Sequence, residues 1–278
     1  MGRGWRNAHP AATKPASWQV SPPSRMREGV VKASPTRQVQ VMVPVSFTFG
    51  FCGQEFALTR SNALYWRDEN ALLVADLHLE KASFFARTGQ FLPPYDSRET
   101  LTRLAAAVKE TGARRVYTLG DNFHDGEGAL RLEGHAAGML DALTRALDFV
   151  WITGNHDVKH RDHAPHTVGG TFVAELELAG MVLRHEAKAG ETRPELSGHF
   201  HPRLRLKVRE KHIRRACAVV SEDAAGAGRM ILPSFGTLTG GMDAGDPAIL
   251  AALQPAQRID AVVPAKDRLA RFTLWQAA

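Results

Sequence analysis

A chain of 278 residues with 44% apolar and 23% charged side chains can bury a sizeable core, and its composition is that of an ordinary globular protein, not a fibrous or low-complexity one. No apolar run approaches the length of about 20 residues that a membrane span needs, and no secretory apolar core follows the N-terminus, so a cytoplasmic protein is expected. The formal charge of +6 belongs entirely to residues 1–45, with seven basic side chains against Glu28; the remainder carries 28 basic and 28 acidic residues, so global charge says little about what the folded part binds.

Residues 1–42 are rich in Pro, Ser, Ala and Arg and lack hydrophobic periodicity, which predicts a disordered basic extension. Residues 43–278 are expected to form one folded domain. SFTFGF, EFALT and ALYW read as short strands of a hairpin-rich opening. ALLVADLHL (71–79) reads as a buried strand with a polar end. A helix then begins at Asp96, with Asp96 as cap, Glu99 completing a capping box, Leu101, Leu104, Ala105 and Val108 as the apolar stripe, and Gly112 as the stop. The strand RRVYTLG (114–120), a helix around 134–147 and the strand DFVWIT (148–153) follow, an alternation that signals an α/β fold. Beyond about 167 the pattern changes to strands with short turns: FVAELEL and MVLRHE flank Ala179-Gly180, and LRLKV, RACAVV and RMILPSF come after. The expected architecture is a single two-sheet α/β domain. Cys52 and Cys217 stand far apart without metal-type spacing and read as free, buried thiols.

The strand ends carry the chemistry. In chain order they deliver Asp76-x-His78, then Gly120-Asp121 followed by Asn122, Phe123, His124 and Asp125, then Gly154-Asn155-His156-Asp157, then His185, then Gly198-His199-x-His201. In open α/β sheets the carboxyl ends of the strands build the site, so these fragments are expected to converge. One D-x-H or one G-D is explained by a loop; five such fragments in order are not. Carboxylate, imidazole and carboxamide donors without thiolate suit Mn²⁺, Fe or Zn²⁺. Their number exceeds the needs of one ion and points to two ions sharing a bridging carboxylate, the arrangement that clamps attacking and leaving oxygens in phosphoryl transfer. Glycines before Asp121, Asn155 and His199 are expected to let the backbone turn sharply.

The order D-x-H, G-D, G-N-H-D, H, G-H-x-H resembles the calcineurin-like metallophosphoesterase superfamily, whose fold is a four-layer αββα sandwich of two sheets. DLHLEKASFF, GDNFHDGEG, TGNHD, SGHFHPRLRL and LPSFGTLTGG resemble the DNA-ligase-associated metallophosphoesterases of bacterial DNA repair, over roughly residues 50–245. The resemblance implies that Asp76, His78 and His201 hold one metal, that Asp121 bridges, and that Asn155, His185 and His199 complete the second, with Mn²⁺ the favoured ion and Fe or Zn²⁺ the alternatives. It implies catalytic roles for His156, as the unligated histidine beside the scissile phosphate, and for His124, which the double-strand-break nuclease branch also carries. For His124 a loop or supporting role remains the alternative. The implied function is a phosphodiesterase, an endonuclease or other nuclease on single-stranded or damaged DNA, cleaving by in-line attack of a metal-bound hydroxide, in functional association with an ATP-dependent DNA ligase, a helicase and an exonuclease. A phosphomonoesterase or small-nucleotide phosphodiesterase on the same site is the alternative, and a scaffold without catalysis is a third reading that the full ligand set opposes.

Glu80 departs from this pattern, since members commonly carry glycine there, and it would set an acid near an anionic substrate. Lys81, Phe84 and Arg87 are candidates for substrate contact. Asp125 and Asp157 read as orienting or turn residues. His135 falls in a helix, His160, His163 and His166 in a polar loop, and His212 in the basic run KVREKHIRR, which lacks aromatics and reads as a solvated strand face. FGTLTGG (235–241) is either a phosphate cradle or a tight turn.

Overall fold

A computed structural model describes residues 46–157, 168–224, 226–266 and 268–278; the extension over 1–42 and His160, His163 and His166 lie outside the described residues. An antiparallel meander of β1 (Ser46–Phe51), β2 (Gln54–Thr59), β3 (Leu64–Trp66) and β4 (Ala71–Val74) opens the fold. Next, α1 (Lys81–Ala86) and α2 (Asp96–Thr111) cross to β5 (Arg115–Leu119), and α3 (Gly128–Arg131) and α4 (Gly134–Ala146) cross to β6 (Asp148–Ile152). A short β7 (Thr171–Val173) completes a seven-stranded sheet in the order β1-β2-β3-β4-β5-β6-β7, parallel from β4 onward.

The second half supplies β8 (Leu176–Leu178), β9 (Met181–Leu183), β10 (Glu195–Ser197), a separate hairpin of β11 (Arg203–Val208) and β12 (Lys211–Ala216), β13 (Ala218–Glu222), β14 (Gly228–Ile231), α5 (Pro247–Ala252), β15 (Arg258–Pro264) and β16 (Leu269–Gln276). Its seven-stranded sheet runs β16-β15-β13-β14-β10-β9-β8.

Alternation along the strands fills three cores. Leu73, Tyr117, Leu119 and Ile152 face Leu183, Leu196, Val220 and Met230 across the gap between the sheets. From the other face of the first sheet, Leu72, Val74, Val116 and Trp151 pack on Leu101 and Leu104 of α2 and Leu140 of α4. Val219, Ile231 and Ala261 pack on Ile249 and Leu253 at α5. The result is the expected αββα sandwich. Strands buried on both faces explain why β4, β5 and β6 read as near-continuous apolar runs.

Four local expectations change. The strand predicted over 71–79 stops at Val74, because Asp76, His78 and Glu80 adopt positive φ and cannot continue it. FVAELEL is two strands: β7 pairs with β6 in one sheet, β8 with β9 in the other, and the chain crosses between them. Asp96 is the first residue of α2 and not its cap; its Oδ2 accepts the Ala82 N–H at 3.1 Å and so closes the start of α1 instead. The one-turn helices α1 and α3 were too short for a periodic signal. Gly112 does end α2, in the left-handed conformation at φ 73. Cys52 and Cys217 are free, as expected, but only Cys217 is buried; Cys52 is partly exposed. No described helix is long and apolar enough to cross a membrane.

Candidate metal centre

Beyond β4, β5 and β10 the chain does not turn away to solvent; its loops pair with one another. Asp76 N–H donates to Gly120 O at 3.2 Å, His78 N–H to Asp121 O at 2.9 Å, and Leu79 N–H to Asn122 O at 3.0 Å. Phe235 and Gly236, in the loop after β14, donate to the carbonyls of Ala75 and Asp76. This loop ladder holds an unusual backbone. Asp76, His78, Asp121, His199 and His201 all have positive φ, between 43 and 73. Each such non-glycine residue costs about 1–3 kcal/mol, a strain that surrounding structure must overcome and that clusters where geometry serves function.

The glycines act mainly by their missing side chain. Only Gly120 has positive φ among those before the expected ligands. A Cβ on Gly154 would stand 2.2 Å from Asp121 N and 2.4 Å from its Oδ1; one on Gly198 would stand 2.7 Å from Asp76 Oδ2. The site can close around these two carboxylates because nothing projects there.

Among the described residues three overlapping donor groups result, one of them His78, Asp121 and His156. Asp76, His78 and His201 converge, with His78 Nε2 3.3 Å from His201 Nε2 and His201 Nε2 3.5 Å from Asp76 Oδ1. Asp121, His185 and His199 form the second, with His185 Nε2 3.1 Å from His199 Nδ1 and 3.4 Å from Asp121 Oδ1. Asp121 belongs to both neighbourhoods, since its Oδ2 lies 3.7 Å from His78 Nε2. Imidazole nitrogens facing each other at such distances fit a shared cation, the more so because burial, with the nearby His201, His156 and Lys81, pushes the His78 ring down to about 2 and keeps it neutral. His199 is shifted down too, first by burial. His185 Nδ1–H donates to Leu119 O at 3.1 Å, which selects the tautomer with Nε2 free toward the site. The residues present thus fit divalent cations with nitrogen and oxygen ligands. Asn155 is exposed, between Gly154 and His156, both of which touch Asp121.

His156 lies at the edge of the first group. Its backbone N–H donates to Asp121 Oδ1 at 3.1 Å, and its Nδ1–H donates to His124 O at 2.8 Å. Its Nε2 is therefore the free nitrogen, 3.8 Å from Asp121 Oδ2. Asp157 holds this loop: its carboxylate accepts N–H groups of Gly154, Asn122 and Phe123 and the Asn122 carboxamide, while burial pushes it up to about 6. His124 stacks on His156 at 5.4 Å and meets Phe84 edge-on at 4.7 Å. Burial, then Lys81, pushes its ring down to about 4, so at neutral pH it is an uncharged hydrogen-bonding group.

Other expectations sort by contact. Glu80 is 6% exposed and turned inward, accepting from Ser97 Oγ at 2.8 Å, so it does not confront substrate; its φ of 63 accounts for glycine being at home there. Arg87 is paired with Glu127 at 2.8 Å, Asp125 with Arg131 at 3.1 Å. His135 and His212 are exposed. The amides of Phe235, Gly236 and Thr237 donate to protein acceptors, so FGT is a structural turn. Glu186 was missed: its Oε1 lies 3.7 Å from His199 Nε2, and its only sequence signal was adjacency to His185.

A two-sheet sandwich with a carboxylate shared between two imidazole pairs at its strand ends defines a metal-dependent phosphoesterase. The calcineurin-like phosphoesterase family model matches residues 70–263, and the chain belongs to that family, whose members are hydrolases of phosphoester bonds. Among solved structures it is similar to the Pseudomonas putida nuclease MPE, at 28% identity and TM-score 0.60, over 78% of this chain and 96% of that one. A weaker likeness, 14% identity and TM-score 0.38 over 73% of this chain and 98% of that one, is to the E. coli phosphoesterase Yfce. No curated protein matches the sequence.

Proposed function

We propose that this phosphoesterase is a nuclease, a phosphodiesterase with two divalent cations that cleaves single-stranded or damaged DNA in repair, working with a DNA ligase. The observation that carries the reading is Asp121 set between two imidazole pairs with His156 Nε2 free beside it; likeness over nearly the whole of a nuclease chain supports the substrate class. In this assignment Asp76, His78 and His201 hold one ion, Asn155, His185 and His199 the other, and Asp121 both. When bound, the two cations, Mn²⁺ foremost, supply Lewis acidity and lower the pKa of water.

The protein's own groups do the rest. The loop ladder keeps the donors at strained, fixed positions. His156, oriented by the His124 carbonyl, presents Nε2 to the scissile phosphate; in its protonated form it donates that proton to the leaving oxygen. His124, uncharged and held by Phe84, offers a hydrogen bond at the rim.

The test is Mn²⁺-dependent cleavage of circular and linear single-stranded DNA beside bis-p-nitrophenyl phosphate and a phosphomonoester. Nicking of circles is expected. Turnover of the monoester alone, with no DNA cut, overturns the nuclease reading in favour of a phosphomonoesterase.

A further inference from the structure

The hairpin of β11 and β12 concentrates charge in a domain that is otherwise not basic. Residues 203–216 hold seven Lys or Arg side chains and one acid, Glu210; the 28 basic and 28 acidic residues beyond position 45 become 21 and 27 once these are set aside. Pairing decides where the charges point. Arg203 lies opposite Ala216, Arg205 opposite Arg214, and Lys207 opposite His212. Directly paired residues share a face, so these four cations and His212 line one side. Leu204 and Leu206, of the other parity, turn to the core under α5. A run that reads as a solvated strand thus puts four of its seven cations on one face, while Lys211 and Arg215, opposite Val208 and Leu204, fall on the other.

Two carboxylates touch that face: Asp243 stands 3.1 Å from Arg205 and Glu210 2.9 Å from Lys207. Both pairs are exposed, and such pairs contribute at most about 1 kcal/mol, so a phosphate competes with either. Arg203 donates to the carbonyls of Thr239 and Gly240, and Arg214 to Gly241, bracing the root of the ribbon. At its tip Arg209 and Glu210 form a two-residue turn with φ of 47 and 63, where Asn-Gly is ordinarily favoured. The turn carries backbone strain with an exposed arginine in place of the residue that would relieve it.

We infer that this face is a binding surface for the sugar-phosphate backbone of a nucleic-acid strand, holding the stretch that flanks the bond in the metal centre. The inference rests on the nucleic-acid reading above and adds where the strand lies. β11 starts two residues after His201, so chain length keeps Lys207 within about 22 Å of the centre. Arg205 and Lys207, the exposed cations of β11, stand about 6.6 Å apart along the strand, a spacing that meets successive phosphates. From Arg203 to Lys207 the strand spans about 13 Å, longer than a small phosphoester, so the ribbon suits a polymer.

The test is binding of a fluorescein-labelled thymidine oligonucleotide by anisotropy, in EDTA to prevent cleavage, over a range of KCl. The variant Arg205→Gln/Lys207→Gln/Arg209→Asn is expected to bind at least about tenfold more weakly, and its slope of log affinity against log salt is expected to fall by about 2, at about 0.7 for each lost phosphate contact. Thermal midpoint and Mn²⁺ affinity check that the fold and the metal centre persist. Should the triple variant misfold, Arg209→Asn alone keeps a residue suited to left-handed backbone and is expected to lower the slope by about 0.7. Wild-type binding and cleavage with an unchanged slope in the variants overturns the ribbon and leaves the nuclease reading standing. A wild-type protein that neither binds nor cuts DNA overturns both.

Discussion

Asp121 carries three duties in one buried side chain. Its Oδ1 accepts the His156 backbone N–H and faces His185, while its Oδ2 faces His78 and His156 Nε2. Asp121→Ala is therefore expected to lose both metal binding and turnover; a variant that still takes up two Mn²⁺ by calorimetry contradicts the shared role. His156→Ala is expected to keep its metal and lose about 10²–10⁴-fold in kcat, because in the proposed assignment only a proton donor is removed. Gly154→Ala should fold, yet push Asp121 aside and weaken Mn²⁺ binding, since the added Cβ has 2.2 Å to the Asp121 nitrogen where real contacts need more than 3 Å. The donor types at these positions were readable from the sequence; the tightness of Gly154 against Asp121 was not, because the 32 positions between them are closed by the pairing of β5 with β6.

Among elements, β9 and β10 show how a strand can place chemistry and carry a structural burden at once. Met181–Leu183 leads to Arg184 and His185, which point to opposite tasks. His185 joins the donor group with Asp121 and His199, and Arg184, 3% exposed, lies 2.9 Å from Glu195 Oε2, close enough for ionic pairing though off-line for a hydrogen bond. Glu195 is fully buried, and Arg184 also reaches Glu175 and Glu191. Removing one partner of a buried pair strands the other's charge, so Glu195→Leu is expected to cost about 3 kcal/mol in urea unfolding. Replacing Arg184 and Glu195 together by apolar residues should cost less than the sum of the single changes, and strict additivity would argue against coupling. The sequence showed the strands but not this cluster, because polar residues in short strands give no sign of which face is dry.

For the whole molecule, three apolar layers hold two sheets and their helices in register, and Cys217 reports on their integrity. It is fully buried between β12 and β13, and burial pushes its thiol up to about 12 from an ordinary value of 9.0. A thiol reagent at pH 8 is expected to leave Cys217 unmodified until denaturant is added; labelling in the native state would mean that this layer opens. Because the folded value lies above the unfolded one, Cys217's contribution to stability is intact below about pH 9 and is lost as pH rises from there toward about 12. A fall in thermal midpoint over that range that is smaller in Cys217→Ala is the matching measurement.

Much of the fold could be read from residues alone, because helix stripes, strand runs and glycine stops depend on near neighbours. The order of metal-type side chains at strand ends was equally local, and it was enough to indicate a phosphoesterase. Which donors face each other was settled only by packing: His78 meets His201 and His185 meets His199 because the two sheets lie face to face and aim their strand ends at one place. The same holds for charge. Composition made the folded region neutral, yet the run 203–216 is basic and its pairing puts Arg203, Arg205, Lys207 and Arg214 on one face, since parity and register, not residue counts, decide which side chains share a surface.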